Sequence, residues 1–231
     1  MTKEPARLIS DPTHKILTER GKKRFNVGTW AAMKLLNATD PRVVKTLRQL
    51  MLKWGFKGIS LGHDLLRKTP LLKKVDEIPQ ATTGNIKLSE QITGMLSRPI
   101  RVELPKQSYR SALHLEDKTQ VPIIRDPQIA ADDSEAVFYF PGCGSERLFS
   151  DVGLASIAML YKTGATVILP PGYLCCGYPQ TASGQADKGQ RITTENRVLF
   201  HRIANTLNYM DIKTVLVSCG TCIYQLFKYE F

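Results

Sequence analysis

The C-terminal half of this chain is predicted to be an α/β fold: a parallel, Rossmann-like sheet with helical crossovers. Three observations predict it. Three short apolar runs of strand length stand at 136–140, 165–169 and 214–217. Stretches with helical periodicity separate them, so the order reads βαβαβα. The runs are apolar throughout rather than alternating, as parallel strands covered on both faces are.

Each element has a local justification. Ala136-Val-Phe-Tyr-Phe140 is rich in aromatic and β-branched residues and is broken by Pro141-Gly142. Residues 150–162 read as a helix with Gly164 as its left-handed stop. Ala165–Leu169 is the second strand, and Pro170 to Pro179 a loop. Residues 186–209 read as a long helix, with Ile192, Leu199, Ile203, Leu207 and Met210 on one stripe. Thr214–Val217 is the third strand, and Ser218-Cys-Gly-Thr-Cys222 turns into a last helix. Before about residue 134 the pattern differs, and a helical and extended basic arm is expected. Asp40-Pro41 is an N-cap followed by proline at the first helical position. Val43, Val44, Leu47, Leu50, Met51 and Trp54 then recur at helical spacing, with Gly58 closing the element. Further short helices are expected at 61–68 and 88–97, residues 1–25 read as loose, and the prolines from Pro70 to Pro127 suggest an extended connector. The expected domains are therefore a basic helical and linker region, 1–134, and a cysteine-rich domain, 135–231.

The chain has 231 residues, 42% of them hydrophobic, and a formal charge of +11. Residues 1–125 hold 24 Lys/Arg against 11 Asp/Glu, whereas 136–231 hold 8 against 6. A basic half of this kind suits a solvated arm, with peripheral contact to an anionic membrane or an acidic partner as the alternative. No nucleic-acid-binding signature accompanies it, so no nucleic-acid partner is expected. No secretory leader and no apolar run of bilayer-spanning length is found, which points to a reducing cytoplasm, where thiols serve metals or redox chemistry.

All five cysteines lie in the last third: Cys143, Cys175, Cys176, Cys219 and Cys222. Every one follows a predicted strand. In a parallel sheet the carboxyl ends of all strands share one edge, and ligand sites of open α/β sheets form there. Thiols more than thirty residues apart are thus expected to meet and to act as metal ligands. Gly142, Gly144, Gly177 and Gly220 flank them, and glycine allows close backbone approach to a bulky inorganic group and positive φ. The last helix begins at the CxxC, so its dipole favours thiolate there. Thiolate-only ligation in glycine-rich loops suits an iron–sulfur cluster; structural zinc and thiol–disulfide catalysis are the alternatives. His14, His63, His114 and His201 have no ligand spacing, and His201 reads as a solvated residue opposite the apolar stripe. Glu146, Arg147 and Asp151 are near Cys143; pairing of Arg147 with a neighbouring carboxylate is expected over a role toward substrate. No GxGxxG, Walker loop or nucleophile elbow occurs.

Pro141-Gly-Cys143, Cys175-Cys-Gly177 and Ser218-Cys-Gly-Thr-Cys222 together resemble the cysteine-rich CCG domain of the heterodisulfide reductase and glycolate oxidase iron–sulfur subunit family. The stretches LPPGYLCCGYPQ, NRVLFHRIANTLNYMDIKTV and VSCGTCIYQL look more particularly like the C-terminal part of large bacterial FAD-linked oxidases of the D-lactate dehydrogenase type. The resemblance implies electron transfer in a flavin-linked oxidoreductase acting on a 2-hydroxy acid or a heterodisulfide. It implies a [4Fe–4S] cluster, non-cubane in heterodisulfide reductase, held by the five cysteines. FAD would lie on a partner, and flavin-containing and ferredoxin-like domains or subunits are the implied partners. The chain departs from the family pattern in having one CCG motif, a 42-residue gap between Cys176 and Cys219, and no ferredoxin run or flavin-binding segment. It therefore reads as a fragment, or as one partner of a split enzyme.

Overall fold

The computed structural model describes residues 27–50, 55–67, 105–129 and 134–229. The chain divides into two compact units, one of residues 1–45 with 105–231 and one of residues 46–104.

The first described helices are α1 (Val27–Asn37), α2 (Pro41–Arg48) and α3 (Phe56–Arg67). Asp40 caps α2 as the sequence predicts: its Oδ1 accepts from the backbone N–H of Arg42 at 2.8 Å and of Val43 at 3.3 Å. Of the proposed apolar stripe on this segment, Val44 is buried but Val43 and Leu50 are exposed, and Met51 and Trp54 lie outside the described residues. Gly58 does not close a helix. It lies inside α3, which starts at Phe56 rather than 61. A glycine inside a helix costs about 1 kcal/mol but does not end it without a competing partner for the freed carbonyls. The helix expected at 88–97 and the loose segment 1–25 lie outside the described residues.

The sheet has four strands: β1 (Ile123–Ile124), β2 (Ala136–Phe140), β3 (Thr166–Ile168) and β4 (Thr214–Val217), in the order β1-β3-β2-β4. β2 pairs in parallel with β3, Phe138 opposite Ile168, and with β4, Phe140 opposite Val217. β1 was not anticipated; it pairs antiparallel to β3, with Ile123 opposite Ile168. A two-residue strand carries too short a pattern to be read from sequence. The fold is therefore mixed α/β with a mostly parallel sheet.

Alternation along β2 sorts its side chains to two cores. Phe138 and Phe140 pack with Ile168 and with Ile203 and Leu207, which belong to helix α7 (Ala186–Thr206) and the turn after it. Tyr139 packs with Val167, Leu169, Tyr109 and with Ile157 of helix α5 (Ser150–Lys162). Tyr109 opens a short helix, α4 (Tyr109–Ala112), in the stretch expected to be an extended connector. That stretch is instead built into the core: Tyr109 and Arg110 are fully buried. The crossover helices thus cover opposite faces, and the strand order reverses at β2. β2 and β3 are buried at every position, but β4 is not covered on both faces as expected; it is an edge strand, and Val215 is 58% exposed. α5 ends at Gly164, whose φ of 81° is the predicted left-handed stop. α7 runs to Thr206, and a 3-10 turn (Asn208–Met210) completes the predicted segment. Two short helices remain: α6 (Tyr178–Ala182) and α8 (Gly220–Leu226). Among the described residues, no helix is long and apolar enough to cross a membrane.

Candidate thiol centre

Three strand ends bring the five cysteines to one rim. Cys143 follows β2 through the Pro141-Gly142 turn and precedes a π-helical turn, Gly144–Leu148. Such wide turns recur at functional sites because they re-aim side chains within a helix-like path. Cys175 and Cys176 end the loop after β3, next to α6. Cys219 caps the start of α8 after β4, and Cys222 lies within that helix. All five are free thiols.

They act on one another in series: Cys143 and Cys175 shift each other's protonation, as do Cys175 and Cys176, and Cys222 shifts that of Cys176 and of Cys219. Cys143, Cys175, Cys176 and Cys222 are buried and Cys219 is half-buried. Residues separated by up to 79 positions in sequence are therefore in one connected group. Among the described residues, no group of three or more His, Cys, Asp or Glu side chains is arranged to hold a single metal ion.

The thiols are electrically unequal. Hydrogen bonds from Cys143 and then Cys176 hold the Cys175 thiol far down, at about 3, against the opposing effect of burial; the Gly177 N–H and the Arg147 charge add to the lowering. The same bond to Cys175 pushes Cys143 up, as does burial. Cys176 is pushed up by its bonds to Cys175 and Cys222. One thiolate is thus stabilised by neighbours that keep their protons. At Cys219 burial acts upward, but the Thr221 hydroxyl, 3.0 Å away, and the backbone N–H groups of Cys222 and Thr221 outweigh it and lower the thiol. Those amides belong to the first turn of α8, as the sequence predicts for a CxxC that starts a helix.

Two of the four flanking glycines are required by their surroundings. Gly142 has φ +69°, and a Cβ there would lie 2.6 Å from Cys222 Sγ. Gly177 has φ +88°, and a Cβ would lie 2.8 Å from the carbonyl oxygen of Gly189. Gly144 and Gly220 differ from expectation: neither takes positive φ, and a Cβ at either meets nothing within 4 Å.

A buried polar framework holds the cysteine loops. Arg147 pairs with Glu146 at 3.6 Å, the pairing that the sequence suggests, and both are fully buried. Glu146 Oε1 also receives Arg110 Nε, and Oε2 accepts from the Leu174 N–H at 3.0 Å. Arg147 donates to the Leu174 carbonyl at 2.9 Å and to that of Ala38 at 2.8 Å. On the other side, Asn196 Nδ2 donates to the Cys175 carbonyl at 2.7 Å, and the Tyr229 hydroxyl to that of Cys176 at 3.1 Å. Gln180 Oε1 lies 3.7 Å from Cys175 Sγ, while its Nε2 donates to Asn37 Oδ1 of α1. Sequence reasoning missed Arg110, Gln180, Asn196 and Tyr229. Asn196 did carry a signal: a polar residue among Ile192, Leu199 and Ile203 on the buried stripe of α7. Asp151 is exposed in the first turn of α5, and His114 and His201 are exposed. His63 is half-buried in α3, and His14 lies outside the described residues.

An all-sulfur donor set on glycine-bearing loops at the carboxyl edge of a parallel sheet is an arrangement that thiolate metal and redox centres use. The comparisons with known proteins narrow the class. Residues 137–227 match the cysteine-rich domain family CCG. It is 28% identical over 105 residues to an uncharacterized iron–sulfur protein of Methanococcus maripaludis, covering 46% of this chain and 20% of the relative. It is 26% identical over 94 residues to a probable glycolate oxidase iron–sulfur subunit of Bacillus subtilis, covering 41% and 20%. It is 28% identical over 95 residues to a subunit of the fumarate reductase (CoM/CoB) of Methanothermobacter marburgensis, covering 41% and 18%. The chain thus spans about a fifth of the length of these relatives. No solved structure matches it.

Proposed function

We propose that this protein is an iron–sulfur electron-transfer module of a flavin-linked oxidoreductase. The observation that carries the reading is the gathering of five free thiols at the carboxyl ends of three parallel strands. The donor set fits the group: it is sulfur only, and four of the five thiols are shielded from water. Cys143, Cys175, Cys176, Cys219 and Cys222 would hold the cluster, which supplies one-electron transfer when bound.

The chain's own residues bind, orient and exclude water. The low-lying Cys175 and Cys219 thiols favour the thiolate forms that ligation requires. Asn196 and Tyr229 fix the Cys175 and Cys176 carbonyls, and so the direction of both side chains. Gly142, Gly144, Gly177 and Gly220 are the backbone positions proposed to approach the group most closely. Cys219 is the half-exposed member, so a partner's electron donor comes closest there. The names of the relatives support a redox partner, and we assign that role to flavin-containing and ferredoxin-like domains or subunits. A non-cubane [4Fe–4S] type, a 2-hydroxy acid or heterodisulfide substrate for the whole enzyme, a cytoplasmic location and a Rossmann-like sheet in the 135–231 domain belong to the same proposal.

Anaerobic purification followed by iron and acid-labile sulfide analysis tests it. Iron and sulfide in similar amounts, with an EPR signal on reduction, are expected. Stoichiometric zinc without sulfide would overturn the reading in favour of a zinc-stabilised module.

A further inference from the structure

Gln180 of α6 is fully buried, and its two amide ends face different partners. Oε1 lies 3.7 Å from Cys175 Sγ, placed to accept from the thiol. Nε2 donates to Asn37 Oδ1 of α1, 143 positions earlier in the chain. Two further contacts dock α1 at the same place. The Ala38 carbonyl, just past its end, accepts from Arg147 at 2.8 Å, and Ser183 Oγ, just past α6, lies 3.8 Å from Met33 Sδ. A helix outside residues 137–227 thus reaches a thiol through two amides in a row. A side-chain amide has two ends of similar shape and opposite role, since the oxygen accepts and the NH2 donates. Turning it over exchanges them in the same space. The observed direction suits a Cys175 that carries a hydrogen. A sulfur bound to metal carries none and only accepts. Facing Oε1, it would leave two buried acceptors together with no donor between them, an arrangement that folded proteins avoid. The turned amide offers Nε2 to the sulfur and Oε1 to Asn37. Asn37 is half-buried and can turn its own amide to donate.

We propose that Gln180 donates a hydrogen bond to the Cys175 sulfur in the cluster-loaded protein, and that Asn37 of α1 holds its amide in that direction. The inference rests on the iron–sulfur reading above. Both are positioning residues, since they act on the cluster through Cys175. An electron added to the cluster, from a flavin or a chemical reductant, increases the negative charge on its sulfurs. An N–H aimed at a ligand sulfur favours that state and so raises the reduction potential. Burial of Gln180 and Cys175 keeps water from competing for the sulfur, which strengthens the bond. The pair also makes α1 part of the site, although it lies far outside the residues that match the cysteine-rich family.

The experiment is pulsed EPR on the full chain, purified anaerobically and reduced with dithionite, with iron and sulfide measured alongside. The side-chain amides of its glutamines carry the heavy nitrogen isotope. Gln180 is, among the described residues, the glutamine whose amide meets a cysteine sulfur. Magnetic coupling between the label and the cluster is expected, and its absence from loaded wild type overturns the proposal without any substitution. Gln180→Leu is expected to lose the coupling and, in a potentiometric titration, to move the potential downward. Asn37→Asp leaves Gln180 in place, but its carboxylate only accepts and so draws Nε2 away from the sulfur. The coupling is expected to vanish there too; it is the deciding signal, because the added charge lowers the potential by itself. A role in packing alone predicts no coupling and unshifted potential in loaded Gln180→Leu. Loaded Gln180→Leu with the wild-type potential, or Asn37→Asp with the coupling intact, would overturn the proposal. If Gln180→Leu fails to fold or to load, the wild-type coupling and Asn37→Asp decide. A wild type free of iron and sulfide defeats the cluster reading itself, whereas a loaded wild type without the coupling defeats this inference alone.

Discussion

Gly142→Ala separates the role of glycine at the rim from its mere presence there. The residue has φ +69°, where a side chain costs about 1–2 kcal/mol. Its new Cβ would lie 2.6 Å from Cys222 Sγ, so the sulfur must move. Forcing an extra methyl into a packed site adds about 1–3 kcal/mol. The expected loss of stability is therefore about 2–5 kcal/mol in the metal-free protein. Gly220→Ala is the control, because the position is helical, takes no positive φ and has nothing within 4 Å of a Cβ. Alanine there is expected to stabilise by about 0.5–1 kcal/mol. Urea unfolding under reducing, anaerobic conditions measures both, and iron content after reconstitution shows whether displacing Cys222 empties the site. A Gly142→Ala protein within about 0.5 kcal/mol of the wild type, or a Gly220→Ala protein equally damaged, would refute the reasoning.

Asn196→Ala strips the buried Cys175 carbonyl of its 2.7 Å partner and is expected to cost about 1–3 kcal/mol in urea unfolding, with reduced iron uptake. Tyr109 is raised well above the ordinary tyrosine range by burial and then by the Glu146 charge. Its contribution is therefore complete below about pH 10, the unfolded value, and declines above it by up to about 1.4 kcal/mol per pH unit. Unfolding measured from pH 9 to 12 should show that decline, and Tyr109→Phe should flatten it. Replacing any one of the five cysteines by serine should lower bound iron and sulfide. Cys219→Ser, at the half-exposed position, is expected to spare the stability of the metal-free protein more than Cys176→Ser in the core.

The strands at 136–140 and 214–217, the helix at 150–162 and the left-handed Gly164 were legible because each is written in a short window of sequence. The meeting of the thiols was legible for a related reason. A cysteine just after each of three parallel strands can only lie on the edge that those strands share.

Other features belong to no window. β1 exists because Ile123 and Ile124 lie against β3, not because two isoleucines demand a strand. The same holds for the exposed edge of β4, which depends on which strand ends up outermost. Glu146 and Arg147 are an ordinary charged pair in sequence. Only folding removes them from water, and it does so by bringing in Arg110 from 36 residues away and the Ala38 carbonyl from 109 away. The sequence by itself determined which atoms could bind and on which edge they gather, since strand direction and residue order suffice for that. The tertiary structure alone decided what surrounds them, because burial and charge compensation depend on neighbours that no local pattern names.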